Sequence, residues 1–568
     1  MISDKQPVQD LTGILVAHGL KHVVISPGSR HAPLALSFYN HPEIKCYVVP
    51  DERAGGYFAL GIAQATSCPV AVLCTSGTAA LNYGPAIAEA FYQEVPLLVI
   101  TADRPDEWID QGDGQTIRQS GVHAQHTLAS FDISADSDHL DVQRAHIRKI
   151  NAAWNIASGM PRGPVHINVA LREPLYLTVE APGRAPQRID VIASIPQLPE
   201  ADLIHLKGHL AKAHKVMLLT GLCFPDAAVQ AAVQRFADHT NVVVLTETSS
   251  NVKGEHLIPC IDRLLMSTSD DDLADLVPDV LITFGNNVVS KKIKAFLRQH
   301  FTGEHWHIDP AGRPLDTYKK LRRVLTADVA GALHALAGAA HPAVQAETPY
   351  RTRWTAHDRK LAHAQREVLD HTPWSDLAVF DLILPRLPKQ SVLQMGNSSV
   401  VRYIQLFDPR TDLQYFGNRG TSGIDGCTAT ASGMAAVSDR MVTLISGDIA
   451  FLYDINGLWH NASRENLRII VVNNGGGNIF KIIDGPSSTN ALETVFEARH
   501  DLTARSVAAH FDLNYYAVAN ADELTATLPQ FYAAGQGGAV LEVDTRDVAN
   551  ERVLHQMFKQ LKDRITQQ

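Results

Sequence analysis

Two polar loops near the carboxyl end of the chain present an oxygen-rich set of the kind a hard cation takes. They lie in LISGDIAFLYDINGLWHNASRENLRIIVVNNGGGNIF, from Leu444 to Phe480. The first opens with Gly447–Asp448 and the second with Asn473–Asn474, and 24 residues separate Asp448 from Asn473. One loop offers a carboxylate; the other offers an amide oxygen and backbone carbonyls freed by glycine. Mg²⁺ favours such all-oxygen sites and often grips a phosphate at the same time. Gly-Asp and Asn-Asn-Gly also occur as ordinary turns, so the pair on its own leaves both readings open. A second carboxylate, Glu52, stands 22 residues after Arg30 in YVVPDERAGGYFALGIAQA. An isolated Glu is usually a solvated surface group. Here Gly55, Gly56, Ala59 and Gly61 predict a helix packed closely on another backbone, which puts Glu52 at an interface.

These groups need elements to carry them. The apolar, β-branched runs Met441–Ser446 and Leu467–Val472 read as buried strands of a parallel sheet, where ligands bind beyond the carboxyl ends. Similar runs recur, each followed by a helix-like stretch. HVVISPGS, CPVAVLCTSG, VPLLVITADRP and GPVHINVAL occupy the first third, and KVMLLTG, NVVVLTETSS, DVLITFGNN and HWHIDP the middle. SVLQMGNS, LQYFGNRG, MVTLISGD, RIIVVNN and AVLEVDT complete the series. The alternation predicts an α/β chain of doubly wound, mainly parallel sheets. Aperiodic, Pro- and Ala-rich stretches at Val179–Gln197 and Ala337–Tyr350 read as linkers. They divide the chain into 1–180, 198–338 and 352–568.

Composition narrows the class further. At 568 residues, 45% hydrophobic and 19% charged, this is an ordinary globular chain long enough for several domains. A net charge of −10 argues against a nucleic-acid partner, although a local Arg/Lys cluster can still hold a small anion. The six cysteines stand singly, which indicates neither a disulfide framework nor a zinc site. The first residues carry no signal pattern, and no apolar run is long enough for membrane insertion, so the cytoplasm is the expected location. No His-Glu-x-x-His occurs, and His31, His123 and His126 read as satisfied or exposed histidines.

Taken together, Glu52, CTSGTAALNYGPAIAEA (74–90) and the Gly-Asp…Asn-Asn loops resemble the thiamine-diphosphate decarboxylase and synthase superfamily. Six blocks carry a closer resemblance to the 2-succinyl-5-enolpyruvyl-6-hydroxy-3-cyclohexene-1-carboxylate synthases of menaquinone biosynthesis. They are SPGSRHAPL (26–34), TADRPDEWIDQGDGQTIRQ (101–119), NNVVSKKI (286–293), GNSSVVR (396–402), NRGTSGIDG (418–426) and NNGGGNIF (473–480).

The resemblance implies a pyrimidine-binding, a central and a diphosphate-binding domain for the three segments. It also implies thiamine diphosphate and Mg²⁺ as cofactors, with Mn²⁺ as an alternative. The implied reaction is decarboxylation of 2-oxoglutarate and conjugate addition of the succinic-semialdehyde carbanion to isochorismate. Glu52 would bond N1′ of the aminopyrimidine and favour its imino tautomer. Asp448, Asn474 and the Gly476 carbonyl would hold the metal, and Ile449 would lie on the cofactor. Ile424 would wedge beneath the cofactor, and Ile479 and Phe480 would wall the pocket, with plain core packing the competing reading for all three.

Both substrates are dicarboxylates and ask for guanidinium forks or lysines. Matching positions make Ser29, Arg30, Arg104, Gln115, Ser398, Arg402 and Arg419 the substrate contacts, Gln115 also catalytic, with Lys291 and Lys292 beside them. Each of these cations alone would read as a surface charge. Arg118 lies in the same blocks. The chain departs from the pattern at Ile449, at Gly114, and at Lys292, where an Arg fork would give bidentate geometry. A homodimer is the smallest competent unit implied, a homotetramer remaining open. An acetolactate synthase or 2-oxo-acid decarboxylase would keep Glu52, Asp448 and Asn474 without the Arg-rich loops. A non-catalytic nucleotide-binding protein is disfavoured by the lack of Gly-x-Gly-x-x-Gly after the first strand.

Overall fold

The computed structural model describes residues 1–134, 139–239, 242–337, 349–483, 485–535 and 537–566. Three six-stranded sheets follow one another along the chain, and every strand pair within them is parallel. Numbered by chain order within each sheet, the strands of the first sheet (His22–Ile25 to Val165–Ala170) lie in the order 2-1-3-4-6-5. The third sheet, Val392–Met395 to Ala539–Asp544, repeats that order. The middle sheet, Val216–Thr220 to Leu321–Leu325, runs 3-2-1-4-5-6. Helices cover both faces, which is why the central strands are mainly apolar: Val70–Cys74, Leu97–Asp103 and Leu467–Asn473 are buried at every residue.

The expected linker at Val179–Gln197 is an extended, largely exposed segment, with Ile192 99% exposed. Most of the other expected linker, 338–348, lies outside the described residues. The helix Pro349–Leu369 that follows packs on the middle sheet's layer, where Tyr350 Oη and Trp354 Nε1 both donate to the Leu276 carbonyl. Among the described residues no helix is long and apolar enough to cross a membrane.

The first and third sheets meet through equivalent helices. Glu52–Thr66 and Cys427–Ala435 each connect the second strand of their sheet to the third. The two backbones touch. A Cβ on Gly61 would come within 2.0 Å of the Thr430 carbonyl oxygen, and one on Gly433 within 1.9 Å of the Phe58 carbonyl oxygen. Of the glycines that predicted a close backbone approach, Gly61 makes one, whereas Gly55 and Gly56 mainly face side chains of their own domain.

Candidate active site

Strands Val442–Gly447 and Leu467–Asn473 are neighbours, in register from Val442–Leu467 to Gly447–Val472, so the loops beyond them leave the sheet side by side. Asp448 is 3% exposed. Its Oδ1 accepts from Ile449 N at 2.7 Å and its Oδ2 from Gly476 N at 2.9 Å. Burial pushes this carboxyl's pKa up, and the imidazole of His500 stands 3.4 Å from Oδ2. Asn474 is 8% exposed. Its Nδ2 donates to Asp376 at 2.8 Å, while its Oδ1 is buried with no partner. Gly475 and Gly476 have φ of +76° and +153°. A Cβ on Gly476 would stand 2.7 Å from the Glu497 carbonyl oxygen. No group of three or more His, Cys, Asp or Glu side chains that could hold a metal ion occurs among the described residues. This set instead has one carboxylate, one orphaned amide oxygen and glycine carbonyls, which is what a hard cation holding a diphosphate needs.

Glu52 begins the helix Glu52–Thr66, capped by Asp51, whose Oδ1 accepts from Arg53 N at 2.9 Å and Ala54 N at 3.3 Å. Glu52 itself is half-buried, and burial raises its pKa. Its neighbours reach the third sheet's layer, Asp51 accepting from Asn456 at 2.8 Å and Arg53 donating to the Tyr453 carbonyl at 3.1 Å.

Two groups of cations form. Arg30 and Arg104 line one cleft of about 370 Å³ with Trp108, Asp113 and Arg172. Arg30 is held by the Leu171 carbonyl at 3.0 Å, and its buried Nε has no partner. Arg104 donates to the Gly114 carbonyl at 3.0 Å and pairs with Asp113 at 3.2 Å. Beside them Ser29 and Gln115 are exposed on loops. Gln115 has a φ of +56°, and its backbone lies 3.2 Å from where a Gly77 Cβ would be.

In the second group Lys291, Lys292, Arg402 and Ile479 line another cleft of about 370 Å³, with Asp262 on its wall. Arg402 donates to the Ser398 carbonyl, and Ser398 itself holds a φ of +69°. Arg419 is 4% exposed and donates to Asn397 Oδ1 at 2.7 Å, its Nε without a partner. Burial lowers the Arg419 pKa, the charge of Arg402 adds to this, and Glu247 and Glu89 oppose it. Under-partnered buried guanidinium groups are costly unless an anion arrives to complete them.

Ile424 is half-buried and outside the hydrophobic clusters. Phe480 is half-buried against Phe496, their ring centroids 5.8 Å apart. Arg118 is exposed and paired with Asp110 at 2.8 Å. His31 is buried, its pKa pushed down to about 4, and has an unpartnered Nδ1. His123 bonds the Ala80 carbonyl at 2.9 Å, and His126 packs edge-on against Phe91 and Tyr92. Among the described residues, no hydrogen bond or ion pair joins Glu52, Arg30 or Arg104 to Asp448, Arg402 or Arg419.

Several supporting residues carry no sequence motif. Glu89, fully buried in the first sheet's layer, accepts from Gly420 N at 2.6 Å, Thr421 N at 2.7 Å and Thr421 Oγ1 at 2.5 Å. It thereby fixes the loop that follows Arg419. Glu247 of the middle layer accepts from Val289 N at 2.6 Å and Ser290 N at 2.7 Å, just ahead of Lys291, and burial pushes its pKa to about 7. Asn397, Asp376 and His500 complete the set. Only the polar residue in an otherwise apolar helix, as at Glu89 in GPAIAEAFY, could have flagged one of them.

Known proteins resemble this chain along almost its whole length. Residues 8–126 match the description "Thiamine pyrophosphate enzyme, N-terminal TPP binding domain", and 394–543 match its C-terminal TPP binding domain. Residues 216–395 match "Middle domain of thiamine pyrophosphate". A 2-succinyl-5-enolpyruvyl-6-hydroxy-3-cyclohexene-1-carboxylate synthase of Flavobacterium psychrophilum is 41% identical over 99% of this chain and 100% of its own. Synthases of the same name from Flavobacterium johnsoniae and Porphyromonas gingivalis are 39% and 38% identical, covering 97% and 98% of this chain and 98% and 97% of theirs. The three parallel-sheet domains are those of a thiamine-diphosphate enzyme, and the chain belongs to the 2-succinyl-5-enolpyruvyl-6-hydroxy-3-cyclohexene-1-carboxylate synthase family.

Proposed function

We propose that this enzyme joins 2-oxoglutarate to isochorismate with loss of CO₂, using thiamine diphosphate and a divalent cation, Mg²⁺ or Mn²⁺. The observation that carries the reading is the pair of cation groups, each holding a buried guanidinium with an unpartnered Nε, at Arg30 and at Arg419. Two dicarboxylate substrates supply acceptors to both groups at once; pyruvate, with a single carboxylate, supplies one. Thiamine diphosphate, when bound, supplies the carbanion chemistry that lets a 2-oxo acid lose CO₂ and join an acceptor. The chain's part is to bind, orient and move protons. Asp448, the orphaned Asn474 oxygen and the Gly476 carbonyl would hold the cation and so neutralise the diphosphate, and Ile449 adjoins them. Glu52, its proton affinity raised by burial, bonds N1′ of the pyrimidine and controls which ring nitrogen bears the proton. Ile424, Ile479 and Phe480 exclude water around the reacting carbon. Arg30, Arg104, Ser29 and Gln115 grip one part of the substrates, and Ser398, Arg402, Arg419, Lys291 and Lys292 the other.

Among the described residues no hydrogen bond or ion pair joins the two groups within one chain, and a complete site combines the first-domain group of one copy with the third-domain loops of another. The working unit is a homodimer, in the cytoplasm, and the domains divide at 1–180, 198–338 and 352–568. The test supplies 2-oxoglutarate and isochorismate with thiamine diphosphate and Mg²⁺, and follows CO₂ and product by mass spectrometry. The coupled product is expected only with both substrates. Turnover of pyruvate with no product from the pair would point to an acetolactate synthase or decarboxylase instead.

A further inference from the structure

We propose that Asp376 is a positioning residue for the metal site: it holds the Asn474 amide so that the nitrogen is occupied and the oxygen is left for the cation. The inference rests on reading Asp448, Asn474 and Gly476 as the metal ligands. Asp376 starts the helix Asp376–Ile383, far in sequence from either metal loop, and is 1% exposed. Its side chain has no cationic partner; both oxygens are used as acceptors. Oδ1 takes Thr545 Oγ1 at 2.6 Å, and Oδ2 takes Asn474 Nδ2 at 2.8 Å. The backbone beneath is tied down as well, Asp376 N donating to Asn550 Oδ1 at 2.7 Å and Thr545 N to the Asn473 carbonyl at 2.9 Å.

An amide can face either way in its socket, and only one face ligates a hard cation. A carboxylate that accepts and does not donate settles the choice, because the flipped amide would set oxygen against oxygen. What remains is Asn474 Oδ1, buried and unpartnered. A buried carboxylate with no cation beside it is expensive, and stability alone gives no reason to keep it. Orienting a metal ligand does, since outer partners that fix a ligand's orientation set metal affinity by about 10- to 100-fold.

The test titrates Mn²⁺ into the full-length enzyme with thiamine diphosphate, following free Mn²⁺ by electron paramagnetic resonance. Asp376→Ala should weaken Mn²⁺ by about 10- to 100-fold with an unchanged circular dichroism spectrum. Asp376→Asn should recover most of the affinity, because its carbonyl can face Asn474 while its amide donates to Thr545 Oγ1. Thr545→Val, which leaves the Asp376–Asn474 bond in place, should bind within about threefold of wild type, whereas a merely structural network would lose affinity there as well. Should Asp376→Ala not fold, the exchange supplies the answer. Asn474→Asp alone sets two carboxylates together and loses Mn²⁺, and adding Asp376→Asn restores a donor and recovers it, a non-additive pair. Wild-type Mn²⁺ binding by Asp376→Ala, or strict additivity in the exchange, overturns the inference, provided Asp448→Ala has lost the ion. Retention of Mn²⁺ by Asp448→Ala would overturn the metal site itself.

Discussion

Arg419→Ala should separate stability from function in opposite directions. In the free enzyme Arg419 is a buried cation with one hydrogen bond, to Asn397 at 2.7 Å, and a guanidinium Nε that meets nothing. Its lowered pKa says that burial disfavours the charged form. Truncation leaves Asn397 Oδ1 without its donor, a cost of about 1–3 kcal/mol. It also removes a poorly compensated buried charge, a relief of similar size, so folding stability should change by no more than about 1 kcal/mol. Catalysis has no such offset. The substrate carboxylate loses charge-assisted hydrogen bonds worth roughly 1.5–3 kcal/mol each, about ten- to a hundredfold in kcat/KM. Arg419→Lys should recover part of this, since a point charge cannot reproduce the fork. The assay pairs thermal unfolding with steady-state kinetics in which 2-oxoglutarate and isochorismate are varied in turn, and with a thiamine-diphosphate titration. Unchanged kcat/KM for both substrates, or a loss confined to thiamine-diphosphate affinity, would refute the reasoning.

Glu52→Gln should keep the cofactor but slow hydrogen–deuterium exchange at C2 of bound thiamine diphosphate by at least about a hundredfold, measured by quenched-flow NMR; a wild-type rate removes Glu52 from that role. Gly433→Ala drives a methyl group into the Phe58 carbonyl, and overpacking of about 1–3 kcal/mol should outweigh the helix-propensity gain of about 1 kcal/mol. Its Tm should fall, and a raised Tm would show that the helix joint can part freely. Asp454, fully buried, has its pKa pushed from 3.8 up to about 8, so the folded state holds its proton more tightly than the unfolded one. Its contribution is therefore full at low pH and fades as pH rises toward about 8. Asp454→Asn, whose carbonyl can still take Ala429 N, should flatten the fall of Tm between pH 5 and pH 8 (roughly the window of that titration). An identical pH slope in wild type and variant would mean that Asp454 titrates normally.

The central strands were legible because both of their faces are covered, so Leu97–Ile100 (LLVI) and Ile469–Val472 (IIVV) read as apolar runs. Four strands outside the apolar runs picked from the sequence, Ala129–Ser134, Leu257–Ile258, Leu321–Leu325 and Asn514–Val518, are all at sheet edges. There one side meets solvent, and polar residues such as Asp132 and Arg322 interrupt the pattern. At the site, groups that project from strand-end loops were visible as motifs because loop chemistry is local in sequence. Glu89, Glu247 and Asp376 were not, because each acts on a loop more than forty residues away and looks, in its own segment, like any acidic residue on a helix or turn.

The shared strand order of the first and third sheets, joined through equivalent helices, gives the chain two modules of one plan with another domain between them in sequence. The two modules differ in what their strand ends carry: Glu52, Arg30 and Arg104 on the first, and Asp448, Asn474, Arg402 and Arg419 on the third. The strand-end loops meet across the joint through side chains, as Glu89 does at Thr421 Oγ1, and a side chain can be exchanged or can shift. At the helix joint, any side chain gained at Gly61 or Gly433 must be answered by a retreat of the opposite backbone, so the two halves can change there only in concert.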